Sequence, residues 1–416
     1  MAEANPRVRG GPEQAPPPAG GRLLPVAAAP ALSAAGLVVI AAVSWLLLGG
    51  SLPALPGGPG GPGGNGGGPV RTPTPSGVVI VDPRTNVPGT LLYAKDGNIW
   101  VQSGDQAHQL TVSGHDYMPA WSADGSSVYY IRNTPAQGNP KWSTNGEVRF
   151  YNLSYPSLLQ IPATGGDFKQ LLKGQIRDGS YTWSYFIREP AISPDGKTAA
   201  LISDGPDPRR SDITLKLLNL ATSKLTDPEL PEVQSLGHQD PAWSPDGKIL
   251  LYVRNTREGT RGTPTIMRYN VATGRTSAMT TGGYSAPSWS RDGRYVAATK
   301  TSSFGTDVVI LDARNGTELL KLTNDELSFS PVWSPLMDSV AFFKLDHGVV
   351  DLWLIPLTGT APSWTVGQPI ELTISAGLDA PSRPQWFIPA DQLPPLPTPT
   401  PAATSAAPGP SPSRAP

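Results

Sequence analysis

Four histidines occur in 416 residues, and two of them stand in matching surroundings: Gly114-His115-Asp116-Tyr117 and Gly237-His238-Gln239-Asp240. Imidazole and carboxylate so combined could hold a divalent cation through His115, Asp116, His238 and Asp240. Three other short polar segments share their position relative to a repeated motif described below: Arg188-Glu189, Gly283-Tyr284-Ser285, and Asp379 to Arg383. The candidate ligand-binding residues are therefore His115, Asp116, Tyr117, Arg188, Glu189, His238, Asp240, Tyr284, Asp379 and Arg383. Histidine, carboxylate, tyrosine and arginine converging on a concave rim suit recognition of a ligand or peptide. The competing account is that loops are polar because they are solvated.

No catalytic motif accompanies them. Ser285 follows Gly283-Tyr284 but is followed by Ala286-Pro287, so it is not a nucleophile elbow. His-Glu-x-x-His and calcium-loop patterns are absent, and His108 is expected on an outer strand or turn. The absence of cysteine removes disulfides, thiol nucleophiles and thiolate zinc sites. Neither enzyme activity, a cofactor nor a resident metal is expected. The net charge of −1, without long runs of one sign, gives no reason to expect nucleic acid as a partner.

The elements that position these residues come from a repeat. Pro119-Ala-Trp121-Ser-Ala-Asp124-Gly125 recurs as Pro190-Ala-Ile192-Ser-Pro-Asp195-Gly196, Pro241-Ala-Trp243-Ser-Pro-Asp246-Gly247 and Pro287-Ser-Trp289-Ser-Arg-Asp292-Gly293. Pro331-Val-Trp333-Ser-Pro335 and Pro384-Gln-Trp386 are partial copies. The prolines are spaced by 71, 51, 46, 44 and 53 residues, a period that marks propeller blades. Ser-Pro-Asp-Gly is turn chemistry: proline presets φ and glycine accepts φ > 0. Asp124, Asp195, Asp246 and Asp292 are thereby explained as turn residues, without catalysis. Apolar runs after the turns, such as Val128–Ile131 and Ile249–Val253, read as strands. The tryptophans (Trp121, Trp243, Trp289, Trp333, Trp386) are expected to wedge between blades, where truncation to alanine would cost about 3–5 kcal/mol.

Leu91 to Thr111 supplies three strands without a first, and Pro384 to Ile388 a first strand without the rest. Joined, they complete one blade. The fold expected is all-β, a six-bladed β-propeller over residues 89–390, closed by its two ends and monomeric.

The Pro-x-Trp-Ser-Pro-Asp-Gly signature resembles the repeat of TolB-like β-propellers, which also occurs in prolyl oligopeptidase propellers and oligogalacturonate-lyase-like proteins. The resemblance covers about Gly89 to Pro389 and implies the fold, not an activity. TolB carries a small α/β domain before its propeller. Here a glycine-proline stretch stands in that place, so partner binding of the Tol–Pal kind is not carried over.

The 26–48 segment has no charged side chain. As a helix it would be about 34 Å long, enough to cross a hydrocarbon core of about 30 Å. Arg7, Arg9 and Arg22 precede it, and the next charged residue is Arg71. This predicts a single-pass anchor with residues 1–25 cytoplasmic and the propeller outside, periplasmic or extracellular. A cleaved signal peptide is the alternative. Residues 49–88 read as a flexible linker and 391–416 as a disordered tail. The 71-residue spacing contains Trp142, Tyr151, Tyr155, Tyr181, Trp183, Tyr185 and Phe186, an aromatic insertion that either packs or presents a surface. Together these features predict a membrane-held module that binds a protein or cell-envelope polymer. A lyase-like or metal-dependent enzyme acting on saccharide, and a ligand sensor, are the alternatives.

Overall fold

The computed structural model describes residues 76–82, 87–140, 149–207, 212–228, 230, 235–256 and 263–396. The expected arm, the membrane segment, Trp142, and most of the linker and tail lie outside these residues. Among the described residues no helix is long and apolar enough to cross a membrane.

Each copy of the motif is the innermost strand of a blade. These strands are Asp116–Trp121, Arg188–Ile192, Ser235–Trp243, Tyr284–Trp289, Ser328–Trp333 and Gln385–Phe387. Antiparallel strands follow outward in each sheet. Blade 1 combines Gln385–Phe387 with Thr90–Lys95, Asn98–Ser103 and Gln106–Gln109. Its closing pairs are Thr90 with Phe387, Leu91 with Trp386 and Leu92 with Gln385, as the two ends of the sequence imply. Blades 2 to 6 then follow in chain order, beginning at 116, 188, 235, 284 and 328. The upper face is the end where inner strands begin, and the lower face carries the turns that follow them.

The turns are built as their residues dictate. Ser122 Oγ donates to Asp124 Oδ1 (2.7 Å), which also accepts the Ser126 amide (3.0 Å). The Gly125 amide closes onto the Ser122 carbonyl (3.0 Å) with φ of 71°. These bonds draw the Asp124 carboxyl down to about 2. Asp195, Asp246 and Asp292 repeat the arrangement with Ser193, Ser244 and Ser290. In the fifth copy Met337 takes the glycine place, at φ of 65°, and still closes onto Ser334 (2.8 Å).

The core is a ring of six apolar clusters, each shared by two neighbouring blades. Trp121 packs with Leu92, Ile99, Val128 and Tyr130 between blades 1 and 2. Trp243 joins Ile202, Leu215 and Leu250 between blades 3 and 4. Trp289, Trp333 and Trp386 wedge the next three joints in the same way. Between blades 2 and 3, Ile192 occupies the tryptophan place. Two indoles also clip blades together: Trp243 Nε1 donates to the Ala191 carbonyl (3.0 Å) and Trp289 Nε1 to that of Ala242 (3.1 Å).

The long spacing after the first motif lengthens blade 2. Ser127–Gly138 and Tyr151–Pro162 pair over twelve residues each. An added hairpin, Gln175–Asp178 with Tyr181–Ser184, lies against their extension through a bridge between Asn139 and Thr182. Tyr155, Trp183 and Tyr185 are buried in this packing, whereas Phe150, Tyr151 and Phe186 remain exposed.

The folded body exceeds the expected 89–390 at both ends. Residues 78–82, placed in the linker by composition, pair with the outer edge of blade 6. Val81 bridges Thr373, the Asp82 amide donates to Leu372 (3.0 Å), and the Ile374 amide donates to Ile80 (2.8 Å). The apolar run Val78-Val-Ile-Val81 is strand chemistry that the surrounding glycine and proline masked. At the other end, Arg291 Nη1 donates to the Pro394 carbonyl (2.6 Å) on the lower face.

Candidate functional site

The inner strands share a distortion just above each motif. Met118, Glu189, Asp240, Ala286 and Ser330, each directly before a motif proline, have φ between 48° and 54°. The ladder to the second strand slips register at the same place in all five blades. Proline has no amide to donate, so pairing breaks there and a bulge forms. A left-handed conformation at a residue with a Cβ costs about 1–2 kcal/mol, so neighbours must hold it.

They do so from blade to blade. The Glu189 amide meets Met118 Sδ (3.4 Å), the Asp240 amide donates to Glu189 Oε2 (2.5 Å), and the Ala286 amide donates to Asp240 Oδ2 (2.8 Å). In each case the bulge residue of one blade receives the bulge amide of the next. Ala286 cannot accept, and the Ser330 amide turns to Thr299 Oγ1 instead (2.9 Å). The Met118 amide donates to Ser382 Oγ (2.8 Å), which ties blade 2 to the segment entering blade 1.

Arg383 precedes the sixth motif proline and reaches from blade 1 to the opposite side of the ring. Its Nη2 donates to the Pro287 carbonyl (2.6 Å), and its Nη1 lies 3.7 Å from Asp240 Oδ1. The guanidinium therefore spans the channel near its upper mouth. Below it lies a cavity of about 290 Å³, walled by motif residues such as Pro119, Ala120, Pro190, Ala191, Pro241 and Ala242. Arg188 approaches Glu189 Oε1 at 3.6 Å. Burial, then the Asp240 carboxylate, push the Glu189 carboxyl up to about 6.

The structure thus unites four of the ten expected residues, Arg188, Glu189, Asp240 and Arg383, at the channel mouth. Tyr117 and Asp379 stand beside them: burial, then Asp379 and Asp116, raise the Tyr117 hydroxyl. Asp379 accepts the Ser382 hydroxyl, and burial raises its carboxyl. Asp116 is fully buried in a side-on pair with Arg132 (2.6 and 2.9 Å).

Three residues expected on the rim stand elsewhere. His238 is buried in the joint between blades 3 and 4. Its Nδ1 accepts the Leu215 amide (3.1 Å) and its ring packs on Tyr252 (4.7 Å). Burial, then the Arg254 guanidinium, push it down to about 4, so it is neutral. Tyr284 is drawn over its own blade, donating to Glu318 Oε2 (3.0 Å) beside Lys300. His115 is exposed above blade 2. The expected cation ligands His115, Asp116, His238 and Asp240 are consequently parted, each in its own setting. Among the described residues no three histidine or acidic side chains are grouped to hold a metal ion. Met118 and Thr299 belong to the mouth although the sequence does not single them out, and Ser382 belongs to it within the expected segment Asp379 to Arg383. Met118 carries a signal, its place directly before a motif proline; Thr299 carries none.

No family model matches the sequence, and no curated protein matches it. Solved structures do. TolB from Acinetobacter baumannii is similar with a TM-score of 0.51 at 18% identity, over 72% of this chain and 66% of that chain. A putative TolB from Agrobacterium tumefaciens gives 0.45 at 16% identity, over 75% and 100% of the two chains. An oligogalacturonate lyase from Vibrio parahaemolyticus gives 0.42 at 16%, over 68% and 92%. The chain spans just under two thirds of the Acinetobacter protein. At these identities the likeness concerns fold alone: the chain is a six-bladed, all-β propeller of the shape that TolB-like proteins contain.

Proposed function

We propose that this chain is an interaction module, anchored by residues 26–48 with its propeller outside the cytoplasm, that docks a protein or cell-envelope polymer at the upper channel mouth. The supporting observation is that the charged groups there are already committed. Glu189 and Asp240 hold backbone amides of the next blade, and Arg383 is anchored on a carbonyl. Such groups form a stiff, preformed surface, which lowers the ordering cost of recognition. They are poorly placed to swing towards a reacting bond.

Site-specific crosslinking tests this reading. A photoreactive side chain at Tyr117 should give a discrete adduct in intact cells, weakened by Arg383→Gln. The same group at Asn315, exposed on the lower face, should give none. Adducts from both positions, or from neither, would count against docking at the mouth.

A second reading, a saccharide-acting enzyme, draws on one feature. Glu189 is a cleft carboxyl raised to about 6, a range suited to proton transfer. Release of unsaturated sugar ends from an acidic polysaccharide, lost in Glu189→Gln, would favour it.

A further inference from the structure

A second repeat runs through the blades, four residues beyond the one paired with the motif tryptophan. The pairs Leu91–Trp386, Val128–Trp121, Ala199–Ile192, Leu250–Trp243, Val296–Trp289 and Val340–Trp333 fix the register. Four residues on stand Lys95, Arg132, Ser203, Arg254, Lys300 and Lys344. Five of the six positions are basic, and the chain supplies partners for most of them. Lys95 Nζ donates to the Ala376 carbonyl (2.6 Å), Lys300 meets Glu318 (2.7 Å), and Lys344 meets Asp325 (3.0 Å). Ser203 Oγ donates to the Phe186 carbonyl. Arg132 holds Asp116, the residue directly opposite, through two parallel bonds.

Arg254 differs. Its opposite residue is His238, where blade 2 has Asp116. The blades otherwise agree here, with Tyr130 and Tyr252 two residues before the arginine and each buried in the joint with the preceding blade. His238 gives Arg254 no acceptor, because Nδ1 is taken by the Leu215 amide. That bond leaves the ring proton on Nε2. Arg254 Nε and His238 Nε2 are both buried and without hydrogen-bond partners among the described residues. Leaving two such donors without a protein acceptor is costly. The other charged groups acting on the imidazole are Asp212 and Lys216, from blade 3.

We infer that Arg254 and His238 form a carboxylate-binding site in the joint between blades 3 and 4, in which a ligand's carboxylate gives Arg254 the acceptor that Asp116 gives Arg132 in blade 2. The planar fork of arginine receives a carboxylate side-on, and the His238 Nε2–H supplies a further donor. The site is separate from the channel mouth, so the docking proposal can fail without it, and it without the docking proposal.

Calorimetric titration of the full chain tests the site with three acids at matched ionic strength: acetate, D-glucuronate and N-acetyl-dialanine, with acetamide and phosphate as controls. Saturable binding of carboxylates and not of acetamide is expected. Arg254→Gln should weaken it by about tenfold or more, the worth of a charge-assisted pair. His238→Asp should abolish it, because the chain then supplies its own carboxylate. Arg132→Gln should leave it unchanged. Glucuronate binding tighter than acetate would assign the fork to a uronic acid, and the dipeptide tighter than acetate to a peptide terminus. Equal affinities would make the carboxylate alone the recognised unit. No saturable binding by any acid, phosphate binding as tight as the acids, or binding that survives both Arg254→Gln and His238→Asp, would overturn the inference.

Discussion

Replacing glycine by alanine in two of the lower turns should give losses of clearly different size. Gly293 and Gly125 hold equivalent places, with φ of 69° and 71°. At Gly293 an added Cβ would find only Pro245 Cδ, at 3.8 Å, an ordinary contact. The cost of Gly293→Ala is then the left-handed conformation alone, about 1–2 kcal/mol. The fold tolerates this, as Met337 does at φ of 65°. At Gly125 the added Cβ would collide with the Phe387 ring, which packs on Trp121 at 5.5 Å. Phe387 lies on the strand that closes the ring of blades. Gly125→Ala therefore adds an overpacking cost of about 1–3 kcal/mol, for a total of about 2–5 kcal/mol. Urea denaturation with an unchanged slope measures both. Equal losses at the two sites would refute the argument that Phe387 seals blade 1 against the blade 2 turn.

Tryptophan-to-phenylalanine changes should separate ring packing from the indole clip. Trp243→Phe and Trp289→Phe remove the bonds to the carbonyls of Ala191 and Ala242, so each should lose about 0.5–1.5 kcal/mol more than Trp121→Phe, whose Nε1 has no partner among the described residues. The same urea midpoints check it. Glu189 and His238 should give opposite pH slopes. The raised Glu189 contributes stability that is present below pH 4.5 and lost as pH rises through about 6, a dependence that Glu189→Gln removes. The depressed His238 contributes stability present above pH 6.5 and lost as pH falls towards 4, which His238→Phe removes. Finally, a chain ending before Pro384 lacks the strand that pairs with Thr90–Leu92. Size-exclusion chromatography should find it aggregated, and a stable monomer would contradict closure by that strand.

Much of the ring could be read from the sequence because its signals are local. The Asp-Gly turns need only their own four residues, and the half-blades at each end follow from counting strands. The site was less legible because side-chain direction depends on the bulge before each proline. Glu189 and Asp240 sit at the bulge and line the channel. His238 stands two residues earlier and faces the blade joint instead. Tyr284, also two residues before its bulge residue, is captured by Glu318 from the outermost strand, a contact without local signature. The basic position was hidden for another reason: lysine, arginine and one serine share it, and the register became visible only through strand pairing.

The closing pair in blade 1 has a mechanical meaning. Thr90, at the start of one strand, lies opposite Phe387, at the end of the other, so the two chain ends leave from the same end of the pair. A load that pulled those ends apart would meet the rungs one after another, as a zipper does, and not all together in shear. The first obstacles would be the pairing of Val81 with Thr373 and the bond from Trp386 Nε1 to the Pro88 carbonyl (2.8 Å). The ring therefore resists heat through six joints but tension through a few bonds at one seam.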